Sequence, residues 1–289
     1  MTDKNPEYDF KWCPGCGDFG VRRALERAIE RRIIEREEPI ENNVVVAGIG
    51  CSGNMVHLLE GPQPYGIHGL HGRTLPVAMG IKASRPDLNV VVVAGDGDFL
   101  SIGMEHIAPQ AQRNLNMCAI IMDNAVYGLT KGQSSPTAEE GMVTASTPYG
   151  KPEDGLNALR LYLTVGASYV ASAISSKIKD LAELMYRGME YPGFAVVHIQ
   201  SPCTEYNDTY ELLKGNPKKG IEPLAWQISD EHDPSDLGAA HSIIDKGGVP
   251  LGVIYQAEGR LPFEDRIVQM AAKARHHRTT QEMVDSYAL

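Results

Sequence analysis

Two acid-bearing turns carry the first sign of chemistry. Gly95-Asp96-Gly97-Asp98 closes the apolar run 89–94, and Met122-Asp123-Asn124 closes the apolar run 117–122. A diphosphate is best held through a divalent cation liganded by hard oxygens, with glycines that let backbone amides approach the phosphates. Asp96 and Asn124 offer two such oxygens, and the backbone carbonyl of Val126 offers a third. Both turns stand at strand ends, where open α/β sheets bind ligands. Gly-Asp-Gly-Asp alone also fits an ordinary strand-ending turn. The answering Asp-Asn favours a cation anchor.

A second constellation is built from thiols. Trp12-Cys13-Pro14-Gly15-Cys16-Gly17 spaces two cysteines so that one short turn presents both sulfurs to a single centre. Cys51 and Cys203 stand in loops of the same glycine- and proline-bearing character. Four thiolates suit zinc or a [4Fe-4S] cluster. Structural zinc usually takes its ligands as two close pairs, whereas here one pair joins two distant singletons. That spacing favours the cluster and leaves zinc open. The fifth cysteine, Cys118, lies inside an apolar run and reads as core.

These residues need a rigid frame. The continuous apolar stretches 44–47, 90–94, 117–122 and 194–199 read as buried strands of a parallel sheet, with helical patterns between them. The implied architecture is a doubly wound, mainly parallel α/β sheet. The first helix follows the cysteine turn, with Asp18 as its expected cap. Val21, Ala24, Leu25, Ala28, Ile29 and Ile33 lie on its inner face, and Arg22, Arg23, Glu26, Arg27 and Glu30 on its outer face. Its N-terminus would stabilise thiolates in the preceding turn. A helix is expected at about 74–82, and Pro109 should kink or shorten the helix between 103 and 113. Residues 127–157 form a long polar loop of the kind that is usually functional. Residues 1–220 read as one α/β domain carrying these sites, and 221–289 as an extension packed on the core or on a partner.

Composition narrows the classes. The chain has 289 residues, 43% of them hydrophobic, which is ample for a core. A formal net charge of −10 argues against a nucleic-acid partner. The one basic cluster, residues 273–278, reads as a solvated helix end or a face for an acidic protein. No apolar run is long enough for a membrane span, and the start has no export signal, so a soluble, cytoplasmic protein is expected. Five cysteines in such a chain point to metal or redox work.

In fixed order, the cysteine turn, Gly-Ile-Gly-Cys-Ser-Gly at 48–53, His71-Gly72-Arg73, Gly95-Asp96-Gly97-Asp98 and Met-Asp-Asn-Ala-Val-Tyr-Gly-Leu-Thr-Lys-Gly-Gln at 122–133 resemble the β subunit of 2-oxoacid:ferredoxin oxidoreductases. The resemblance runs from about residue 12 to residue 203. It implies a thiamine diphosphate-binding fold in which Cys13, Cys16, Cys51 and Cys203 bind one [4Fe-4S] cluster. By the same resemblance Asp96, Asn124 and the Val126 carbonyl hold Mg²⁺. Ile49, Gly50, Cys51, Ser52, His71, Gly95, Gly97, Asp98, Gly128 and Leu129 would then line thiamine diphosphate. It also implies a partner α subunit, in an αβ or α2β2 assembly, that brings the activating glutamate and much of the coenzyme A site.

The implied reaction is coenzyme A-dependent oxidative decarboxylation of a 2-oxoacid. The thiazolium absorbs the electrons left by CO2, and the neighbouring cluster passes them singly to ferredoxin. Run backwards with a strong reductant, the same site fixes CO2. A lone lysine in a polar loop is ordinarily solvent-facing. In the family, however, the position of Lys131 lies near the distal end of the substrate. A lysine there, where pyruvate-preferring relatives have glycine, looks like a partner for a second carboxylate, which favours 2-oxoglutarate and a 2-oxoglutarate synthase type. Pyruvate or broad specificity remains the alternative, because a flexible lysine can swing aside. A structural or electron-carrying subunit with a degenerate thiamine site is a further alternative, opposed by the presence of both Asp96 and Asn124. A non-oxidative decarboxylase with structural zinc is the last. His68 has no assigned role, and Arg73 could pair with a carboxylate at the head of the helix that follows it.

Overall fold

The computed structural model describes residues 11–273 and 278–288. In chain order the elements are α1 (Asp18–Arg36), β1 (Asn43–Ala47), α2 (Met55–Leu58), β2 (Tyr65–His68), α3 (Thr74–Ser84), β3 (Asn89–Gly95), α4 (Ile107–Arg113) and β4 (Met117–Asp123). A short hairpin, β5 (Val126–Tyr127) and β6 (Gln133–Ser134), precedes α5 (Ala158–Thr164), β7 (Tyr169–Ile174), α6 (Ile178–Glu190) and β8 (Phe194–Gln200). Then come α7 (Tyr210–Lys214), β9 (Ala225–Gln227), α8 (Leu237–Asp245), β10 (Val249–Gln256), α9 (Phe263–Lys273) and α10 (Thr280–Asp285).

One eight-stranded sheet organises them, in the order β2-β1-β3-β4-β8-β7-β10-β9. The first six strands are parallel throughout, and β10 is antiparallel to β7. The expected doubly wound, mainly parallel sheet is the one the chain forms. Because strand side chains alternate, each valine-rich strand feeds two cores. Val44, Val46, Val90, Val92 and Ile121 pack under α3, α4, α5 and α8, whereas Val45, Val91, Val93, Ile120 and Val197 pack under α1 and α6. A strand covered on both faces has no polar side, which is why β3 and β4 read as uninterrupted apolar runs. Strands β9 and β10, from the segment after residue 220, extend the same sheet.

Several local expectations need correction. Asp18 does not cap α1. Gly17 is the cap residue and already has helical angles, while the Asp18 carboxylate turns inward to accept a 2.6 Å hydrogen bond from Ser201 Oγ. Arg22 is not on an outer face: it is 8% exposed and donates to the Leu58 carbonyl and to Glu60, both at 2.9 Å. Arg32 is similarly buried between Glu38 and Glu190. Arg73 finds its carboxylate on Glu105, at 3.3 Å, and not at the head of α3, which carries no acid in its first turn. Pro109 falls in the first turn of α4, where its missing N–H is harmless, so it shortens the helix without kinking it. The basic cluster 273–278 lies mostly outside the described residues, as does the start of the chain. No helix among the described residues is long and apolar enough to cross a membrane.

Candidate cofactor and thiol site

Four neighbouring parallel strands, β1, β3, β4 and β8, deliver the expected residues to one end of the sheet. Beyond β1 runs the loop with Ile49, Gly50, Cys51 and Ser52; beyond β3, Asp96, Gly97 and Asp98; beyond β4, Asn124 and Val126; beyond β8, Cys203. One cleft is bordered by Ile49 to Ser52, His71, Gly95 to Asp98, Asn124, Val126, Gly128 and Leu129. Asp18, Met122, Tyr127 and Thr130 border it too, although the sequence reading gave none of them a place in the cleft.

The cleft depends on residues without side chains. A Cβ on Gly97 would lie 2.3 Å from the Tyr127 ring, and one on Gly48 only 1.9 Å from Asp98 Oδ2. Asp98 Oδ1 accepts from the Ile49 amide at 3.2 Å, the Gly72 amide at 2.7 Å and His71 Nδ1 at 2.5 Å, joining three loops at one oxygen. Among the described residues its other oxygen, Oδ2, is buried without a hydrogen-bond partner. His71 is thereby held by Nδ1, with its ring at the edge of the cleft.

Asp96 is 2% exposed. Its Oδ2 accepts from Ser135 Oγ and, at 2.8 Å, from Thr137 Oγ1. Thr137 Oγ1 also stands 2.7 Å from Asp123 Oδ1. Asp123 Oδ2 pairs with His198 Nε2 at 3.0 Å, and His198 Nδ1 meets the Tyr162 hydroxyl at 3.2 Å. Burial, reinforced by the charge of Asp123, pushes the Asp96 carboxyl well above the usual range. Burial would raise Asp123 as well, but the His198 hydrogen bond and charge, with bonds from Thr137 and the Ala125 amide, hold it low. A threonine hydroxyl has one proton and cannot donate to both carboxylates at once. Two adjoining buried carboxylates therefore call for either a shared proton or one more positive charge, and a divalent cation at Asp96 would supply the latter. Beside it, Asn124 Oδ1 accepts from the Val126 amide at 3.0 Å, and Ala125 between them takes a left-handed φ of 61°. The donor set suits a hard cation.

The thiol loops are laced together. Trp12 Nε1 donates to the Cys51 carbonyl at 2.7 Å, the Gly17 amide to the Pro202 carbonyl at 3.0 Å, and Thr204 Oγ1 to the Pro14 carbonyl at 3.0 Å. A Cβ on Gly128 would sit 3.4 Å from Cys51 Sγ and 3.8 Å from Cys203 Sγ. Cys16 lies within electrostatic reach of both Cys51 and Cys203, and Cys51 within reach of Cys13. Burial, with the Asp18 charge behind it, raises the Cys16 thiol and pushes Cys51 up to about 12, so both hold their protons unless a metal displaces them. Among the described residues no group of three or more His, Cys, Asp or Glu side chains is drawn tightly enough to grip an ion. Cys118 is fully buried in β4, away from this end.

Lys131 is exposed, in a left-handed turn with φ of 85°, just past the cleft residues Leu129 and Thr130. His68 and His57 face each other at 2.8 Å outside the cleft. Ser135, Thr137, Tyr162 and His198 were missed by sequence reasoning. His198 did leave a signal, as the single basic interruption in the run Phe-Ala-Val-Val-His-Ile-Gln.

The chain is similar to known proteins. The family profile described as "Thiamine pyrophosphate enzyme, C-terminal TPP binding domain" matches residues 48–199, and the profile for the C-terminal part of the pyruvate ferredoxin oxidoreductase beta subunit matches 222–272. The chain is 37% identical over 274 residues to a 2-oxoacid:ferredoxin oxidoreductase subunit beta of a Sulfolobus species, covering 92% of this chain and 88% of that one. It belongs to this β-subunit family. The 2-oxoglutarate oxidoreductase subunit KorB of Mycobacterium tuberculosis is 38% identical over 258 residues, covering 89% of this chain and 66% of that one. A solved 2-oxoglutarate:ferredoxin oxidoreductase from Magnetococcus marinus, with 2-oxoglutarate, coenzyme A and succinyl-CoA bound, matches with a TM-score of 0.85. Its identity is 37%, and the match covers 99% of this chain and 95% of that one. The chain is thus a β subunit of a thiamine diphosphate-dependent 2-oxoacid oxidoreductase.

Proposed function

We propose that this subunit, with an α partner in an αβ or α2β2 assembly, oxidatively decarboxylates 2-oxoglutarate to succinyl-CoA and CO2 and passes the electrons to ferredoxin. The observation that carries the reading is the shared wall. Gly128 and Cys51 both border the cofactor cleft, and a Cβ on Gly128 would lie 3.4 Å from Cys51 Sγ and 3.8 Å from Cys203 Sγ, so the cleft and the thiols are neighbours. Thiamine diphosphate, when bound, supplies the electron sink for the bond to CO2. The chain's own residues do the rest of what is built here. Asp96, Asn124 and the Val126 carbonyl hold Mg²⁺, and the amides of the glycine-bearing turns face the diphosphate. Asp98 orients His71 at the rim, while Cys13, Cys16, Cys51 and Cys203 would hold one [4Fe-4S] cluster, which would accept the electrons one at a time. The direction of net reaction follows the potential of the ferredoxin pool, so CO2 fixation is open to the same site.

Lys131 selects for 2-oxoglutarate by meeting its distal carboxylate. Its exposure is the observation that favours a second reading, broad 2-oxoacid use including pyruvate, because an unburied lysine can turn away. Residues 1–220 act as the cofactor unit, and 221–289 as an extension packed on the core, through β10 and α8, or on the partner. The deciding experiment is anaerobic co-purification with the α subunit and assay of a 2-oxoacid panel with coenzyme A and ferredoxin. Highest kcat/KM for 2-oxoglutarate with a reduced-iron signal supports the proposal. Turnover without ferredoxin reduction, or no thiamine diphosphate in the active complex, overturns it.

A further inference from the structure

Asp96 is not steadied by its own strand. Its carboxylate receives two hydroxyls, Ser135 Oγ and Thr137 Oγ1, and both bonds end on the same oxygen, Oδ2. Both hydroxyls come from the helix-free stretch that separates β6 from α5. That stretch is given a fixed shape by Lys151, 8% exposed, whose ammonium donates to the carbonyls of Ala138 at 2.9 Å and of Glu153 and Asp154 at 3.0 Å. The Leu156 amide closes it back onto the Pro136 carbonyl at 2.9 Å. Thr137 Oγ1 also lies 2.7 Å from Asp123 Oδ1, so its one proton serves a single carboxylate at a time, and Asp123 Oδ1 has the Ala125 amide at 3.0 Å as another donor. The terminal torsion of an aspartate is otherwise soft, so two bonds on one oxygen set the plane of the group.

We propose that Ser135 and Thr137 are positioning residues for the cation: by holding Oδ2 they aim Oδ1 of Asp96 at the Mg²⁺ of the bound diphosphate. The proposal rests on the reading of Asp96 as a cation ligand. Partners that orient a metal ligand typically contribute about 10- to 100-fold to metal affinity. The long loop is thus part of the cofactor's grip, although neither hydroxyl borders the cleft.

The test uses the co-purified complex, stripped of thiamine diphosphate and Mg²⁺. Thiamine diphosphate affinity is measured calorimetrically over a series of Mg²⁺ concentrations. Thr137→Val is expected to raise the Mg²⁺ requirement about 10- to 100-fold. Thr137→Ser, which restores the hydroxyl, should bind like the parent, with iron content unchanged in both. Parent-like binding by Thr137→Val overturns the proposal, as does equal weakening in Thr137→Ser, which would mark a purely structural role. If Thr137→Val does not assemble, Ser135→Ala decides by the same titration. Asp96→Ala separates the two readings. Unchanged affinity there removes the cation-ligand reading itself, whereas loss there with parent-like binding in both hydroxyl variants removes only the positioning role.

Discussion

Charge at Lys131 is expected to divide one 2-oxoacid from another. A charged hydrogen bond in a partly desolvated pocket contributes about 1.5–3 kcal/mol, so Lys131→Gly should raise KM for 2-oxoglutarate by about tenfold or more. Pyruvate, with no distal carboxylate, should be used as well as before. The ratio of kcat/KM for the two acids is the measure, since lost folding lowers both together; an unmoved ratio removes Lys131 from specificity. Thiols divide in the same manner. Cys118 is sealed in β4, so Cys118→Ala should leave iron content intact, whereas Cys203→Ala should lower it. Iron analysis of the anaerobically purified variants decides, and bleaching by the Cys118 change would falsify the ligand set. The residues proposed to carry chemistry, the four loop cysteines and the Asp96–Asn124 pair, stand out in sequence by their type and spacing. Those that act through geometry are not: Ser135 and Thr137 are ordinary polar loop residues until folding places both hydroxyls on Asp96.

Elements set how closely the loops approach. Gly17 joins the cysteine turn to α1, and a Cβ there would lie 2.6 Å from Ser201 Oγ and 2.8 Å from the Pro202 nitrogen. Backbone cannot yield as a flexible side chain does, so Gly17→Ala should push the turn away from the Cys203 loop and lower both iron content and Tm. Retention of full iron would show that the two loops move independently. The loop before α5 has its own keystone. Lys151→Met leaves three carbonyls without their donor and should cost about 2 kcal/mol or more, read by denaturant unfolding. Strands buried on both faces, β1, β3, β4 and β8, announce themselves as continuous apolar runs. The others do not. Strand β2 is an edge whose residues are largely exposed, β7 dilutes its pattern with Ala and Ser, and β10 carries Pro250 and a bulge where it meets β7. The Asp18 error has a related cause: an acid before an apolar periodicity reads as a cap, and only the packed structure brings Ser201 to it.

At the scale of the whole molecule, the cleft lies open at the strand ends, and its rim carries exposed Ile49 and Leu129 with Leu70 and Ile102 nearby in the adjoining loops. The activating glutamate is expected from the α subunit, so the isolated chain should be inactive and should regain turnover when mixed with that partner. Robust 2-oxoacid oxidation by the purified single chain would show a complete site here. The order of the four strands has a further consequence, for the history of each molecule. Cys51 and Cys203 follow β1 and β8, which do not touch; β3 and β4 stand between them. Closing so long a loop by thiols alone is entropically unfavourable, and parallel pairings of distant segments form slowly. The two sulfurs therefore meet only after the central sheet has assembled. Iron should enter a nearly finished protein, as a late rivet and not as a nucleus. Refolding followed by fluorescence should then proceed at the same rate with and without iron and sulfide, with colour developing only afterwards.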